Sequence, residues 1–98
     1  MATPEGRVKT AIRKFLTERG VYWASIQNGA GAKPGDPDLV LCIRGRFVAI
    51  EVKSATGQQS AIQKVREAEI TMNKGDYYVV RTLEEMTRIL NDLQDRYR

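Results

Sequence analysis

Apolar residues recur at helical spacing in three segments of this chain of 98 residues. The first segment is capped by Thr3 and ends at Gly20, and the second spans about 60–73 and is terminated by Gly75. Thr82 and Glu85 form a capping box at the start of the third. The residues predicted to face the core from the three helices are Val8, Ala11, Ile12, Phe15 and Leu16; Ile62, Val65, Ala68 and Met72; and Leu83, Met86, Ile89, Leu90 and Leu93.

Short runs rich in β-branched and aromatic residues predict four strands, at 21–26, about 38–43, about 46–53 and 77–80. A two-residue turn at Arg44-Gly45 makes the middle strands a hairpin in which residue i pairs with residue 89 − i. The third strand, the second helix and the fourth strand form a crossover, which should be right-handed and parallel. The prediction is a single α/β domain over 1–98 with a small mixed four-stranded sheet flanked by helices, in the order α-β-β-β-α-β-α.

Both faces of the predicted hairpin are apolar, which indicates a sheet that is covered on both sides. One face carries Leu39, Leu41, Val48 and Ile50, and the other carries Val40, Cys42, Phe47 and Ala49. Cys42, the single cysteine, is therefore expected to be a buried structural residue rather than a nucleophile. Because no intrachain disulfide is possible, a cytoplasmic location is expected.

The absence of histidine excludes Ser-His, Cys-His and histidine-metal mechanisms, so hydrolysis would rely on carboxylates, lysine and a hard cation. The net charge of +4 suits a nucleic-acid partner, although solvated helix faces also explain basic residues. No apolar run approaches the ~20 residues of a membrane span.

The Gly-rich loop 27–37 lacks the spacing of a nucleoside-triphosphate loop, so we expect no nucleotide cofactor and a loop that shapes the substrate entrance. The candidates for DNA backbone contacts are Arg7, Lys9, Lys33, Arg44 and Arg46.

Two carboxylates and a lysine converge at one end of the hairpin. The predicted register sets Asp38 opposite Glu51, and opposed residues point to the same face with Cβ atoms roughly 5 Å apart. Lys53 lies two residues beyond Glu51 and shares that face. Because such carboxylates repel unless a cation lies between them, the pattern predicts a Mg²⁺-type site for phosphodiester chemistry. The alternative is that Asp38 only begins a strand and that Glu51 and Lys53 form a solvated edge.

These residues resemble the PD-(D/E)XK nuclease signature, with Pro37-Asp38 followed by Glu51-Val52-Lys53. Gly57 and Ser60-Ala61-Ile62-Gln63 resemble the continuation seen in the VRR-NUC branch, G-x-P-D, E-V-K and G-x-x-S-x-x-Q. The resemblance covers about residues 5–80 and is strongest to small phage-type members, which are associated with DNA junction resolution. It implies the restriction-endonuclease-like core, in agreement with the element order derived above.

The resemblance also implies the roles of the site residues. Asp38, Glu51 and the main-chain carbonyl of Val52 would hold Mg²⁺ or Mn²⁺, and Lys53 would orient the attacking water or stabilise charge on the phosphate. Gln63 is expected near the active site, while its spacing from Ser60 also predicts a capping box. Glu5 is a possible further metal ligand on the first helix, although the helix dipole alone would favour a carboxylate there.

The leading hypothesis is a metal-dependent endonuclease acting on branched, Holliday-junction-like DNA as a homodimer. The alternatives are a nuclease acting on linear duplex, single-stranded DNA or RNA, and a non-catalytic nucleic-acid-binding module. The dimer surface could use the last helix, whose apolar stripe also suits packing on the sheet.

Overall fold

A computed structural model describes residues 3–26 and 31–98, so residues 27–30 of the predicted Gly-rich loop lie outside the described residues. The predicted element order α-β-β-β-α-β-α is confirmed. One sheet has the strand order β1-β2-β3-β4, with antiparallel pairing except between β3 and β4, which are parallel. The elements are α1 (Pro4–Glu18), β1 (Tyr22–Ser25), β2 (Leu39–Ile43), β3 (Arg46–Val52), α2 (Ala61–Met72), β4 (Asp76–Val80) and α3 (Leu83–Arg96).

The hairpin of β2 and β3 has the predicted register. Leu39 pairs with Ile50 and Leu41 pairs with Val48. The turn residues Arg44 and Gly45 both have left-handed backbones, with φ of 52° and 83°. A two-residue turn of this kind matches the twist of the flanking strands. This turn therefore fixes which side chains of β3 lie beside those of β2.

The first and last helices cover one face of the sheet and enclose the core. The fully buried residues that they contribute are Ile12 and Leu16 from α1 and Met86, Leu90 and Leu93 from α3. Both side-chain hydrogen bonds of the capping box at Thr82 and Glu85 are present. Because the apolar stripe of α3 packs inward, this helix does not offer the dimer surface considered above.

The other face of the sheet is covered only in part, so the prediction of a doubly covered hairpin is wrong near its turn. Tyr22, Cys42 and Phe47 lie side by side on this face and are all exposed. The prediction of a buried Cys42 is therefore also wrong. The physical reason is the position of α2, which packs chiefly on β4 and leaves this end of β1, β2 and β3 open.

The orientation of α2 also differs from the prediction. Ile62, Val65, Ala68 and Met72 were expected to face the core, but all four are exposed and no residue of the helix is buried. The half-buried side chains are those of Gln63, Arg66, Glu67 and Ile70. The inward face of α2 is therefore mostly polar, and hydrogen bonds and ion pairs contribute to its contacts with the rest of the protein.

The end of α2 involves two neighbouring residues. Lys74 takes the left-handed backbone, with φ of 72°, where Gly75 was expected to end the helix. Gly75 instead allows the backbone to approach Ile70 closely, because a Cβ there would lie 2.8 Å from Cγ2 of Ile70.

No helix within the described segments is both long and apolar enough to span a membrane.

Candidate active site

The end of the sheet opposite the hairpin turn carries the two predicted carboxylates. Asp38 directly precedes β2, and Glu51 is the penultimate residue of β3. Both side chains are buried although both can carry charge. Buried carboxylates need compensating partners, so their contacts indicate what the site is built to hold.

Both oxygens of Asp38 are engaged. Oδ2 accepts a hydrogen bond of 2.7 Å from the backbone N–H of Val52, and Oδ1 accepts one of 3.1 Å from the Lys9 ammonium. The Val52 contact ties Asp38 to the strand that carries Glu51. The backbone hydrogen bond therefore fixes the position of one carboxylate relative to the other.

Glu51 has one satisfied and one unsatisfied oxygen. Oε2 accepts a 2.9 Å hydrogen bond from the Gln63 amide and lies 3.7 Å from the Lys53 ammonium. Oε1 is buried and has no hydrogen-bond partner within the described part of the chain. An unpaired buried carboxylate oxygen costs free energy, and a cation at this point would remove that cost.

The electrostatics of Glu51 reflect this environment. Its pKa is raised from 4.5 to about 7, first by burial and next by the negative charge of Asp38, while the Lys53 ammonium lowers it. The folded protein without a cation therefore resists ionisation of Glu51 at neutral pH. A bound divalent cation would favour its ionised form.

Gln63 forms the capping box that its spacing from Ser60 predicted, and it also contacts Glu51. Its Oε1 accepts from the backbone N–H of Ser60 while the Ser60 hydroxyl accepts from the backbone N–H of Gln63, which completes the capping box. Its Nε2 donates to Glu51. The start of α2 is thereby attached to the carboxylate pair, and Glu51 is held in one orientation.

The residues present fit a hard divalent cation at the carboxylate pair. Asp38 and Glu51 supply oxygen ligands, which Mg²⁺ and Mn²⁺ prefer, and the unpartnered oxygen of Glu51 is available. The Val52 carbonyl stays a predicted ligand. Glu5 lies in the first turn of α1, and its charge contributes only the smallest of the effects that raise the pKa of Glu51. In residues 3–26 and 31–98 no three acidic, histidine or cysteine side chains form a metal-binding group.

Lys9 contacts the carboxylate pair, whereas sequence reasoning considered it only for DNA contacts. Its ammonium lies 3.1 Å from Oδ1 of Asp38 and is mostly shielded from solvent. A signal was present in the sequence, because Lys9 continues the stripe of Ile12 and Leu16 that faces inward from α1. A cation on the buried side of a helix requires an acidic partner in the core.

The other basic residues predicted for DNA contacts separate into two groups. Arg7, Lys33 and Arg44 are exposed. Arg46 is partly buried, because its guanidinium pairs with Asp76 at 3.3 Å and stacks over the ring of Tyr97. Arg46 therefore joins β3 to β4 and α3.

Comparison with known proteins establishes the fold. No family model matches this chain, and no curated protein matches it. A solved structure described as "VRR_NUC domain" is similar with a TM-score of 0.74 and 22% identity, covering 99% of this chain and 100% of the other. Another solved structure, "VRR_NUC domain protein", is similar with a TM-score of 0.77 and 18% identity, covering 97% of this chain and 91% of the other. The predicted VRR-NUC fold is confirmed over almost the whole chain.

Proposed function

We propose that this chain, which has the VRR-NUC fold, is a metal-dependent endonuclease that hydrolyses DNA phosphodiester bonds. The observation that carries the proposal is the buried pair of Asp38 and Glu51, with one unpartnered carboxylate oxygen and the Lys53 ammonium beside it. A buried carboxylate that served only in an ion pair is expected to have both oxygens satisfied. Within this fold, an acidic site beside a lysine suits phosphate chemistry.

In this proposal Asp38, Glu51 and the main-chain carbonyl of Val52 hold Mg²⁺ or Mn²⁺, and Glu5 is a possible further ligand. When bound, the cation would polarise the scissile phosphate and acidify a water molecule. Lys53 donates hydrogen bonds to the attacking water or to the phosphate oxygens that gain charge. Gln63 keeps Glu51 in position through its 2.9 Å hydrogen bond.

We further propose that the substrate is branched DNA, and that the protein acts as a homodimer. The resemblance to small phage-type VRR-NUC sequences supports branched DNA. Two active sites related by a two-fold axis would match the two symmetric strands of a four-way junction. The net charge of +4 and the exposed Arg7, Lys33 and Arg44 suit contacts with the DNA backbone.

The test compares cleavage of a four-way junction, a matched linear duplex, a single strand and an RNA, each with Mg²⁺, with Mn²⁺ and with EDTA. We expect metal-dependent cleavage with preference for the junction. Asp38→Asn and Lys53→Met should lose cleavage while keeping DNA binding, and Lys14→Met on the exposed part of α1 serves as the control. Equal cleavage of the linear substrates would refute junction preference. DNA binding without cleavage under every metal condition would leave a non-catalytic binding module.

A further inference from the structure

An apolar stripe runs along the solvent side of α2. Ala61, Val65, Ala68 and Met72 are spaced by four, three and four residues, which puts them on one face of the helix. All four are exposed, with Val65 47% and Met72 79% accessible. This spacing is that of a helix seam that packs against another helix. Among the described residues nothing covers the stripe.

The orientation of the stripe follows from contacts on the opposite face of the helix. Gln63 is bonded to Glu51, and Arg66 donates a 3.1 Å hydrogen bond to the carbonyl of Pro34. Rotating α2 to bury the stripe would break both contacts and detach the helix from the candidate active site. The polar inward face is therefore fixed, and the apolar face is left for a partner outside the described residues.

We propose that this stripe binds the same stripe of a second copy, with the two α2 helices side by side and parallel about a two-fold axis. Charge complementarity favours a second copy. In a parallel pair, a residue flanking the seam lies beside the residue five positions later in the partner helix. Lys64 of each copy then lies beside Glu69 of the other, so two ion pairs form. Lys64 forms no ion pair with a described residue. Glu69 is 53% exposed, and its Oε1 accepts a 2.9 Å hydrogen bond from Arg66 of the same helix, so Lys64 of the second copy would join an existing ion pair.

The size of the stripe residues suits this arrangement. Ala61 and Ala68 alternate with the larger Val65 and Met72, so the helices can approach closely at the alanine positions. An antiparallel pair would instead set Lys64 near Thr71 and Glu69 near Ile62, which forms no ion pair. A domain of 98 residues has a limited core, so covering these side chains would also stabilise it.

The dimer would join two candidate active sites through one element. In each copy, α2 contacts Glu51 through Gln63 on its inward face and would contact the partner helix on its outward face. The spacing of the two sites would thereby be set by helix packing. The relevance to branched DNA rests on the proposed nuclease function, but the oligomeric state can be measured independently of it.

Sedimentation equilibrium of the whole chain tests the surface. We expect a dimer for the unmodified protein, and we expect Val65→Lys to raise the dissociation constant by roughly tenfold or more because it places a charge in a desolvated contact. Thr10→Lys, which makes the same change of charge at an exposed position of α1, should leave the dimer intact. Thermal melts would verify that both variants fold. A monomer at every concentration, or a dimer unaffected by Val65→Lys, would overturn the proposal.

Two variants test the orientation. In a Cys42→Ser background, Ala68→Cys should form an intermolecular disulfide on mild oxidation, because parallel pairing brings the two Cα atoms to roughly the 4.4–6.8 Å that a disulfide needs. Lys64→Glu should weaken the dimer, and Lys64→Glu with Glu69→Lys should restore it. Failure of the disulfide or of the restoration would overturn the parallel arrangement.

The outcomes also separate this proposal from the nuclease proposal. A dimer formed through α2 that cleaves no DNA would refute the nuclease function and leave the interface standing. A monomer that cleaves junctions with Mg²⁺ would refute the interface and leave the nuclease function standing.

Discussion

The raised pKa of Glu51 leads to a stability prediction that needs no DNA substrate. The unfolded chain releases the proton of Glu51 near pH 4.5, whereas the folded protein keeps it to about pH 7. Over this interval the folded state binds more protons than the unfolded state, so the free energy of unfolding falls as the pH rises. Below about pH 4.5 Glu51 is protonated in both states, so this loss of unfolding free energy, the ionisation penalty, is absent. Above about pH 7 the penalty is complete.

The size of the penalty follows from the same two pKa values. The difference between 4.5 and about 7, at about 1.4 kcal/mol per unit, sets an upper limit of about 3 kcal/mol. Since the Glu51 side chain is only 2% exposed, solvent screening removes little of this. Glu51→Gln cannot ionise and can still accept the hydrogen bond from Gln63. We therefore expect the free energy of unfolding of this variant to exceed that of the unmodified protein by about 1–3 kcal/mol at pH 8 in EDTA. At pH 4 the two free energies should match.

Thermal or urea unfolding across pH 4–9 in EDTA measures the effect, with Glu18→Gln at an exposed position as the control. For a domain of this length, each kcal/mol shifts Tm by roughly 4–8 °C. A divalent cation should reverse the order, because it stabilises only the protein that retains both carboxylates. Parallel pH profiles for Glu51→Gln and the unmodified protein, or a less stable variant at pH 8 in EDTA, would refute the reasoning.

Two further predictions concern the surroundings of the site. Lys9→Met removes the ammonium that lies 3.1 Å from Asp38, so the Mn²⁺ affinity measured by calorimetry should rise about tenfold. Lys14→Met, the control, should leave the affinity unchanged. An unchanged affinity in Lys9→Met would contradict competition between the lysine and the metal. Gly35→Ala should lower the free energy of unfolding in urea by about 1–3 kcal/mol, because φ is 82° and a Cβ would lie 2.7 Å from the Ile62 carbonyl oxygen. Gly31→Ala is the matched control, since φ is 86° but, apart from its chain neighbours, no atom of a described residue would lie within 4 Å of the added Cβ. Equal losses of the free energy of unfolding in both variants would show that the close contact has no effect.

The hairpin and the carboxylate pair were predictable because short-range rules determine both. Arg44-Gly45 specifies a two-residue turn, and the turn sets the register. Once the register is known, alternation of side chains along the strands brings Asp38 to the same end of the sheet as Glu51. No information about distant parts of the chain is needed. Lys9 is different, because its contact with Asp38 depends on how α1 lies across the sheet.

Predictions that depended on burial were less successful because periodicity identifies a face and does not identify what covers it. The alternation in β2 and β3 predicted two apolar faces correctly, but nothing in it shows that α2 leaves Cys42 and Phe47 exposed. The position of α2 depends on side-chain contacts with a distant strand and a loop. These contacts are not visible in the hydrophobic pattern.

The case of α2 shows how a site can override hydrophobic patterning. Its strongest apolar stripe would normally face the core, yet its inward face carries Gln63 and Arg66. A polar face is required there, because an apolar residue at position 63 would leave Oε2 of the buried Glu51 without its amide donor. The consequence is an exposed row of Ala61, Val65, Ala68 and Met72, which costs solubility in a monomer. The contact between Gln63 and Glu51 and the exposed apolar row, the surface of the proposed interface, are therefore two consequences of one helix orientation.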